Sequence, residues 1–174
     1  MKLLSCRKRP IMVLVFSDQP QEEVKMKASG PFLTAALFCE RVLQEKDGVL
    51  SAIRIIDRLT HTITGPDAPD EMPSFQVQIS ILISFKSGDA KGRQELTVTP
   101  SSPSGKTLPG LSVPILFEGD ERGANVNIGY AFKAEEEGLY WFGVILNGKE
   151  FTRIPLRIIY QKMQTTMGTT QPLQ

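Results

Sequence analysis

The chain has 174 residues, a length that fits a single domain able to bury a full core without a metal or a disulfide. Its 20 basic and 19 acidic residues give a net charge of +1, without the positive excess expected of a nonspecific nucleic-acid binder. No segment approaches the roughly 18 consecutive apolar residues of a membrane span. Composition therefore predicts a globular domain with no nucleic-acid or membrane partner.

The N-terminal segment MKLLSCRKRPIMVLVFSDQP carries positive charge before a short apolar run. That run, residues 11–16, is shorter than the roughly 7 to 15 residues of a signal-peptide core, and no small-residue cleavage site follows. Cys6 and Cys39 lie in a basic and an apolar context, which argues against a framework disulfide. We therefore predict a reducing, cytoplasmic location. We expect residues 1–25 to form a loose arm outside the fold, or to precede a true start near Met26.

The stretch CERVLQEKDGVLSAIRIID, residues 39–57, fits either a helix with Gly48 as its C-cap or a β-hairpin. The second half is rich in Ile and alternates, which favours strands. A two-residue loop would place Arg41 opposite Arg54, whereas a three-residue loop at residues 46–48 places Glu40 there. We favour that second hairpin. Its apolar face, interrupted by Arg41 and Asp57, holds Leu37, Cys39, Leu43, Ile53, Ile55 and Leu59.

Turn-forming clusters recur at residues 65–73, 86–92, 100–110, 118–123 and 147–148. Between them lie β-rich runs such as FQVQISILISF and RQELTVT. This spacing is typical of an all-β fold and predicts an antiparallel β-sandwich of about seven or eight strands. We expect the sandwich domain to span residues 31–160, and the unpatterned residues 161–174 to form a disordered tail.

The segment GLYWFGVILNGKEFTRIPLRIIY, residues 138–160, predicts a hairpin at Asn147-Gly148. A two-residue loop pairs Leu146 with Lys149 and predicts a core face with Leu139, Trp141, Gly143, Ile145, Ile154, Leu156 and Ile158. The other face is aromatic and basic, with Phe142 opposite Arg153, and we predict that it contacts a partner. This predicted interaction face comprises Tyr140, Phe142, Val144, Phe151, Arg153 and Arg157. Pro155 predicts an edge strand, or one whose nitrogen side faces outward.

The run FCERVLQEKDGVLSAIRIIDRL, followed by a long strand and ELTVTPSSPSGK, resembles a set of small uncharacterised bacterial proteins classed as a domain of unknown function. The matching positions are Cys39-Glu40, Asp47-Gly48, Ser51 and Pro103-Ser104-Gly105. The resemblance covers roughly residues 31–160 and implies an immunoglobulin-like sandwich. It implies no activity, cofactor or catalytic residue.

Residues with catalytic or metal-binding chemistry are sparse. His61 is the single histidine, and no Gly-x-Ser-x-Gly nucleophile turn accompanies it, so we interpret it as a surface residue at a strand end. Cys39 lies inside an apolar run and is predicted to be a small buried side chain. The acidic and glycine-rich loops match neither a calcium loop nor a phosphate cradle. No catalytic, cofactor-binding or metal residue is predicted.

If the strands alternate in direction, the loops at residues 64–73, 101–110 and 134–137 gather at one end. That end is predicted to be acidic, because Lys106 is outnumbered there by Asp67, Asp70, Glu71, Glu135, Glu136 and Glu137. We predict a non-enzymatic module that acts by contact with a protein partner or by self-association. The alternative is a ligand-binding or hydrolytic protein that uses these loops and His61.

Overall fold

The computed structural model describes residues 29–163, which form seven β-strands and no helix. The all-β prediction is therefore confirmed for this part of the chain. The predicted N-terminal arm, residues 1–25, and residues 164–174 of the predicted tail lie outside the described range. The strands are β1 (Phe32–Gln44), β2 (Leu50–Ile56), β3 (Arg58–Thr64), β4 (Phe75–Ser101), β5 (Leu111–Ala134), β6 (Gly138–Leu146) and β7 (Lys149–Met163).

All seven strands belong to one hydrogen-bonded sheet in the order β2-β1-β4-β6-β7-β3, with β5 also paired to β4. Every pair is antiparallel except β3 and β7, which run parallel from Arg58↔Arg157 to Thr64↔Met163. The prediction of a purely antiparallel sheet is therefore wrong. Parallel neighbours need a long connection, and here the chain passes through β4, β5 and β6 between them. β7 also continues through Met163 rather than ending at residue 160.

The clusters at residues 86–92 and 118–123 were predicted to be turns between strands, but they lie within β4 and β5. Gly88, Gly92 and Asp120 have positive φ there, and the pairing register shifts between Lys86 and Lys91. Residues 75–85 and 93–99 are thus two parts of one kinked strand. Turns and bulges both need residues that tolerate left-handed backbone, so the composition alone does not distinguish them.

The kink lets the two parts of β4 take different neighbours. The first part pairs with β1, and the second pairs with β6. Phe38 on β1 nevertheless lies 4.8 Å from Phe142 on β6, between ring centroids, and Phe85 on β4 lies 5.4 Å from Phe151 on β7. These contacts join strands that are not paired with each other, so side chains from both ends of the sheet form one core.

The hairpin formed by β1 and β2 has the register predicted for a three-residue loop. Cys39 pairs with Ile55 and Arg41 with Ile53, which places Glu40 opposite Arg54, and their side chains form a 3.1 Å ion pair. Gly48 has φ +85 in the turn, where its N–H donates to the Glu45 carbonyl. The helical alternative is wrong because this segment closes as two strands, consistent with the β-branched composition of its second half.

The C-terminal hairpin turns at Asn147 and Gly148 as predicted, with φ of +47 and +78. Its register is not the predicted one beyond the first pairs. Ile145 pairs with Glu150 but Val144 pairs with Thr152, so Phe151 is an extra residue in β7. From that bulge onward, each β6 residue faces a β7 residue one position later than predicted.

Pro155 lies where β7 has β6 as its neighbour but has not yet reached the pairing with β3, which begins at Arg157. On the β3 side of β7, no strand is paired at Pro155, so the missing N–H removes no hydrogen bond between these strands. This agrees with the prediction that the nitrogen of Pro155 faces outward.

Asn147→Ala is expected to destabilise the protein by about 1–2 kcal/mol, because alanine does not favour left-handed backbone. The change also removes the Asn147 Oδ1 acceptor that binds the Glu95 N–H at 2.9 Å. Asn147→Gly removes the same acceptor without the backbone cost, so it should be the less destabilising variant. Urea unfolding of both variants checks this order; equal losses would show that the hydrogen bond alone matters.

Candidate functional site

The structure buries three residues of the predicted interaction face. Tyr140, Phe142 and Val144 are almost fully buried, whereas Arg153 and Arg157 are exposed and Phe151 is half-buried. The prediction that Tyr140, Phe142 and Val144 lie on the face opposite the core is therefore wrong. The bulge at Phe151 is the reason: it lets even-numbered β6 residues share a face with Ile154, Leu156 and Ile158 in the core.

The same shift moves the odd-numbered residues of β6 outward. Trp141, predicted to be core, is 39% exposed and pairs with Pro155. Phe142 pairs with Ile154 rather than Arg153, so the predicted cation–π contact is absent from this pair. Phe142 instead lies at the centre of an aromatic cluster with Phe38, Tyr130 and Phe132.

A surface with exposed apolar residues lies elsewhere, on the β1–β2 hairpin. β1 pairs with β4 only as far as Cys39↔Ser80, and the hairpin continues past that point as a two-stranded ribbon. We call residues 40–56 the arm; this hairpin ribbon is distinct from residues 1–25, for which a loose N-terminal arm was predicted. Among the described strands, β2 pairs with β1 and with no other, so its outer edge is open.

The arm exposes large apolar side chains on one face. Leu43, Ile53 and Ile55 lie on this face, which is the one that the sequence predicted to be apolar, and Ile55 is 67% exposed. Arg41 lies among them and is also exposed. Asp57, just after the arm, is exposed beside Arg58. This face is opposite to the one on which Phe38 and Ile56 pack against the core, so the charged residues that interrupt the apolar pattern need no buried partner.

Polar contacts hold the shape of the arm. The Ser51 hydroxyl donates to Glu45 Oε1 at 2.8 Å, and the Val49 N–H donates to Asp47 Oδ1 at 3.1 Å. Arg54 has φ +53, an uncommon backbone conformation for arginine, and its guanidinium meets Glu40. A charged side chain on a locally distorted edge strand limits uncontrolled strand addition.

The loops predicted to gather at one end are linked by polar contacts. The Ser104 hydroxyl donates to Glu136 Oε1 at 2.6 Å, and Lys106 Nζ lies 3.1 Å from Glu135 Oε2. Hydrogen bonds from Ser104, and then from Ser102, hold the pKa of the Glu136 carboxyl below its usual value. These carboxylates are therefore engaged in contacts between the 102–110 and 135–137 loops.

The third loop, residues 65–74, is attached through the end of β7. Tyr160 donates its hydroxyl to the Pro69 carbonyl at 2.8 Å, and its N–H donates to Glu137 Oε2 at 3.3 Å. Lys162 Nζ lies 2.7 Å from Asp70 Oδ1, and it lowers the pKa of that carboxyl. Asp67 and Glu71 are exposed.

His61 and Cys39 have structural environments. His61 lies within β3 rather than at a strand end, half-buried, with its ring stacked on Phe75 at 4.1 Å between centroids. Cys39 carries a buried free thiol whose pKa is raised by burial, against a smaller opposing effect of the Arg41 backbone. A raised pKa reduces the thiolate that nucleophilic chemistry requires.

Metal-binding clusters and membrane-spanning helices are both absent from the described residues. Within residues 29–163, the His, Cys, Asp and Glu side chains form no group of three or more placed to hold a metal ion. Over the same range, no helix is long and apolar enough to cross a membrane.

Comparison with protein families gives one assignment. A model described as "Family of unknown function (DUF6941)" matches residues 34–159, which is more than half of the chain. The chain belongs to the DUF6941 family. The matched region begins in β1 and ends in β7, so it includes the arm and Trp141 of this DUF6941 protein. Among curated proteins, no match was found.

Sequence reasoning identified the apolar face of the arm but not its exposure. The alternation of Leu43, Ile53 and Ile55 was visible, yet no local pattern shows that the core covers the opposite face, where Phe38 and Ile56 lie. Val49, at the start of the return strand, was not singled out and is also exposed. Leu43 before the charged turn at residues 46–48 and Val49 after it are both apolar, and this pattern could have indicated that the end of the hairpin exposes apolar side chains.

Proposed function

We propose that this DUF6941 protein is a non-enzymatic module that self-associates through the arm. The observation that carries the proposal is the exposed apolar face of Leu43, Ile53 and Ile55 on a ribbon with an open edge. A two-stranded ribbon is only marginally stable in water, and exposed apolar clusters usually mark a contact surface. Covering this face would stabilise both the ribbon and the assembly.

The charges of the arm favour a second copy as the partner. Residues 40–56 contain three acidic and three basic residues, so the arm has no net charge that would select a strongly acidic or basic protein. Mixed charge is self-complementary across a twofold axis, where the same patch of both copies meets. The apolar face of the arm can pack against the same face of its symmetry mate, without strand addition at the distorted edge of β2.

The proposal includes a sandwich arrangement of the sheet. It is supported by the Phe38–Phe142 and Phe85–Phe151 contacts between strands that are not paired. Such contacts are expected where two layers pack face to face. The immunoglobulin-like order of the strands, the bacterial source and the cytoplasmic location remain predictions.

The alternative, a ligand-binding or hydrolytic protein using the loop end, has less support. Glu135, Glu136 and Glu137 make contacts with neighbouring loops and strands, and His61 stacks on Phe75. A site that binds or cleaves a ligand would need some of these groups to leave their present partners.

The proposal is tested with Ile53→Asp combined with Ile55→Asp, which places two charges on the apolar face of the arm. Sedimentation velocity of the full chain over a micromolar concentration series should show association that this variant weakens by about tenfold or more. Leu116→Asp is the matched control, because Leu116 is exposed on β5, away from the arm.

The control should associate like the unchanged protein, and circular dichroism should show that both variants keep their strands. Self-association through the arm is rejected if the unchanged protein stays monomeric throughout the series. It is also rejected if the arm variant associates as strongly as the control.

A further inference from the structure

A trough with a tryptophan in its wall lies on the outer face of β4, β6 and β7, away from the arm. Two rows of paired residues cross this face: Ser101–Trp141–Pro155 and Thr99–Gly143–Arg153. The trough has a volume of about 190 Å³. We call it the Trp141 trough, and the residues that line it include Thr99, Ser101, Thr107, Trp141, Glu150 and Arg153.

The bulge at Phe151 builds one wall of the trough. In a regular strand Glu150 and Arg153 would point to opposite faces, but the extra residue places both on the outer face. Arg153 then meets Glu150 through two contacts, Nε–Oε1 at 2.8 Å and a terminal nitrogen to Oε2 at 3.1 Å. The pair is neutral overall, and its unused N–H groups and lone pairs remain donors and acceptors.

Gly143 keeps a hydroxyl in the trough. A Cβ at this position would lie 2.7 Å from Thr99 Oγ1, closer than real Cβ contacts, so a larger residue would displace that hydroxyl. Thr99, Ser101 and Thr107 therefore add three hydroxyl groups to a site whose apolar surface is the exposed indole of Trp141.

We propose that the Trp141 trough binds a neutral carbohydrate ring. A pyranose has an apolar C–H face that packs on an indole, and a rim of hydroxyls that both donate and accept hydrogen bonds. An anionic ligand would have to compete with Glu150 for Arg153, and a purely apolar ligand would leave the three hydroxyls without partners. The trough is smaller than the roughly 300–1,000 Å³ of pockets for drug-sized ligands, which suits one ring.

The chain contains a single tryptophan, so intrinsic fluorescence reports on this site directly. Titrating the full chain with glucose, galactose, N-acetylglucosamine and their β-linked disaccharides should produce a saturable change in Trp141 emission with at least one sugar. A response to the monosaccharide shows that a free sugar suffices. A response to the disaccharide alone assigns the trough to a ring within a longer glycan.

Variants examined by calorimetry with the responding sugar locate the binding. Trp141→Ala should abolish binding, and Arg153→Ala should weaken it about 10- to 100-fold through loss of charged hydrogen bonds. Arg157→Ala is the matched control, because Arg157 is an exposed arginine on the same strand outside the trough, and it should bind normally. The proposal is overturned if no sugar changes the emission at millimolar concentration, or if Trp141→Ala still binds.

Discussion

Phe142→Ala is expected to lower the free energy of unfolding by about 3–5 kcal/mol, the usual loss for a buried aromatic ring. Phe142 is fully buried and lies within 6 Å, between ring centroids, of Phe38, Tyr130 and Phe132. Removing the ring takes away its transfer free energy and leaves a cavity among three aromatic side chains that cannot all collapse into it. Urea unfolding followed by circular dichroism measures the loss.

Trp141→Ala is the comparison that makes this result decisive. Trp141 is the next residue in β6 but lies on the outer face, partly exposed, so we expect a loss of about 1–2 kcal/mol. A regular hairpin without the bulge would reverse the order, because Trp141 would then be core. A larger loss for Trp141→Ala than for Phe142→Ala would therefore contradict the register of β6 and β7.

Gly88→Ala is expected to cost about 2–4 kcal/mol, from two effects at the kink of β4. Gly88 has φ +55, which disfavours a side chain, and a Cβ there would lie 3.0 Å from both the Gly30 Cα and the Phe32 ring. The backbone leading into β1 would have to move away from β4, and the pairing of Phe32 with Lys86 lies immediately beside it.

Gly92→Ala separates the two effects. Gly92 also has positive φ, +89, but no heavy atom lies within 4 Å of the position where its Cβ would be, among the described residues. We expect this variant to lose only the backbone contribution of about 1–2 kcal/mol. Thermal and urea unfolding of both proteins should show the larger loss at Gly88; equal losses would mean that the contact with Gly30 does not hold β1 in place.

Sequence patterns predicted which side chains of the arm share a face, but not that these side chains are exposed. The exposed residues Leu43, Ile53 and Ile55 were placed on one face from sequence, because alternation along two strands is a local property. Their exposure depends on which face of the ribbon packs against the core: Phe38 and Ile56 lie on the opposite face and contact strands far away in the sequence. For the same reason, the linked loops at the acidic end were predicted from strand direction, but their individual partners were not.

Most of the strands, the Asn147-Gly148 turn and the register of Glu40 with Arg54 could be predicted from local patterns, because side-chain alternation, left-handed turn residues and opposite charges act over a few positions. The kink at residues 86–92, the parallel pairing of β3 with β7 and the bulge at Phe151 depend on contacts between distant segments. Side chains in a strand alternate with a period of two, so one extra residue reverses every later position. That single residue placed Phe142 in the core and Trp141 on the surface, and the packing of Phe151 against Phe85 is a contact that no local pattern specifies.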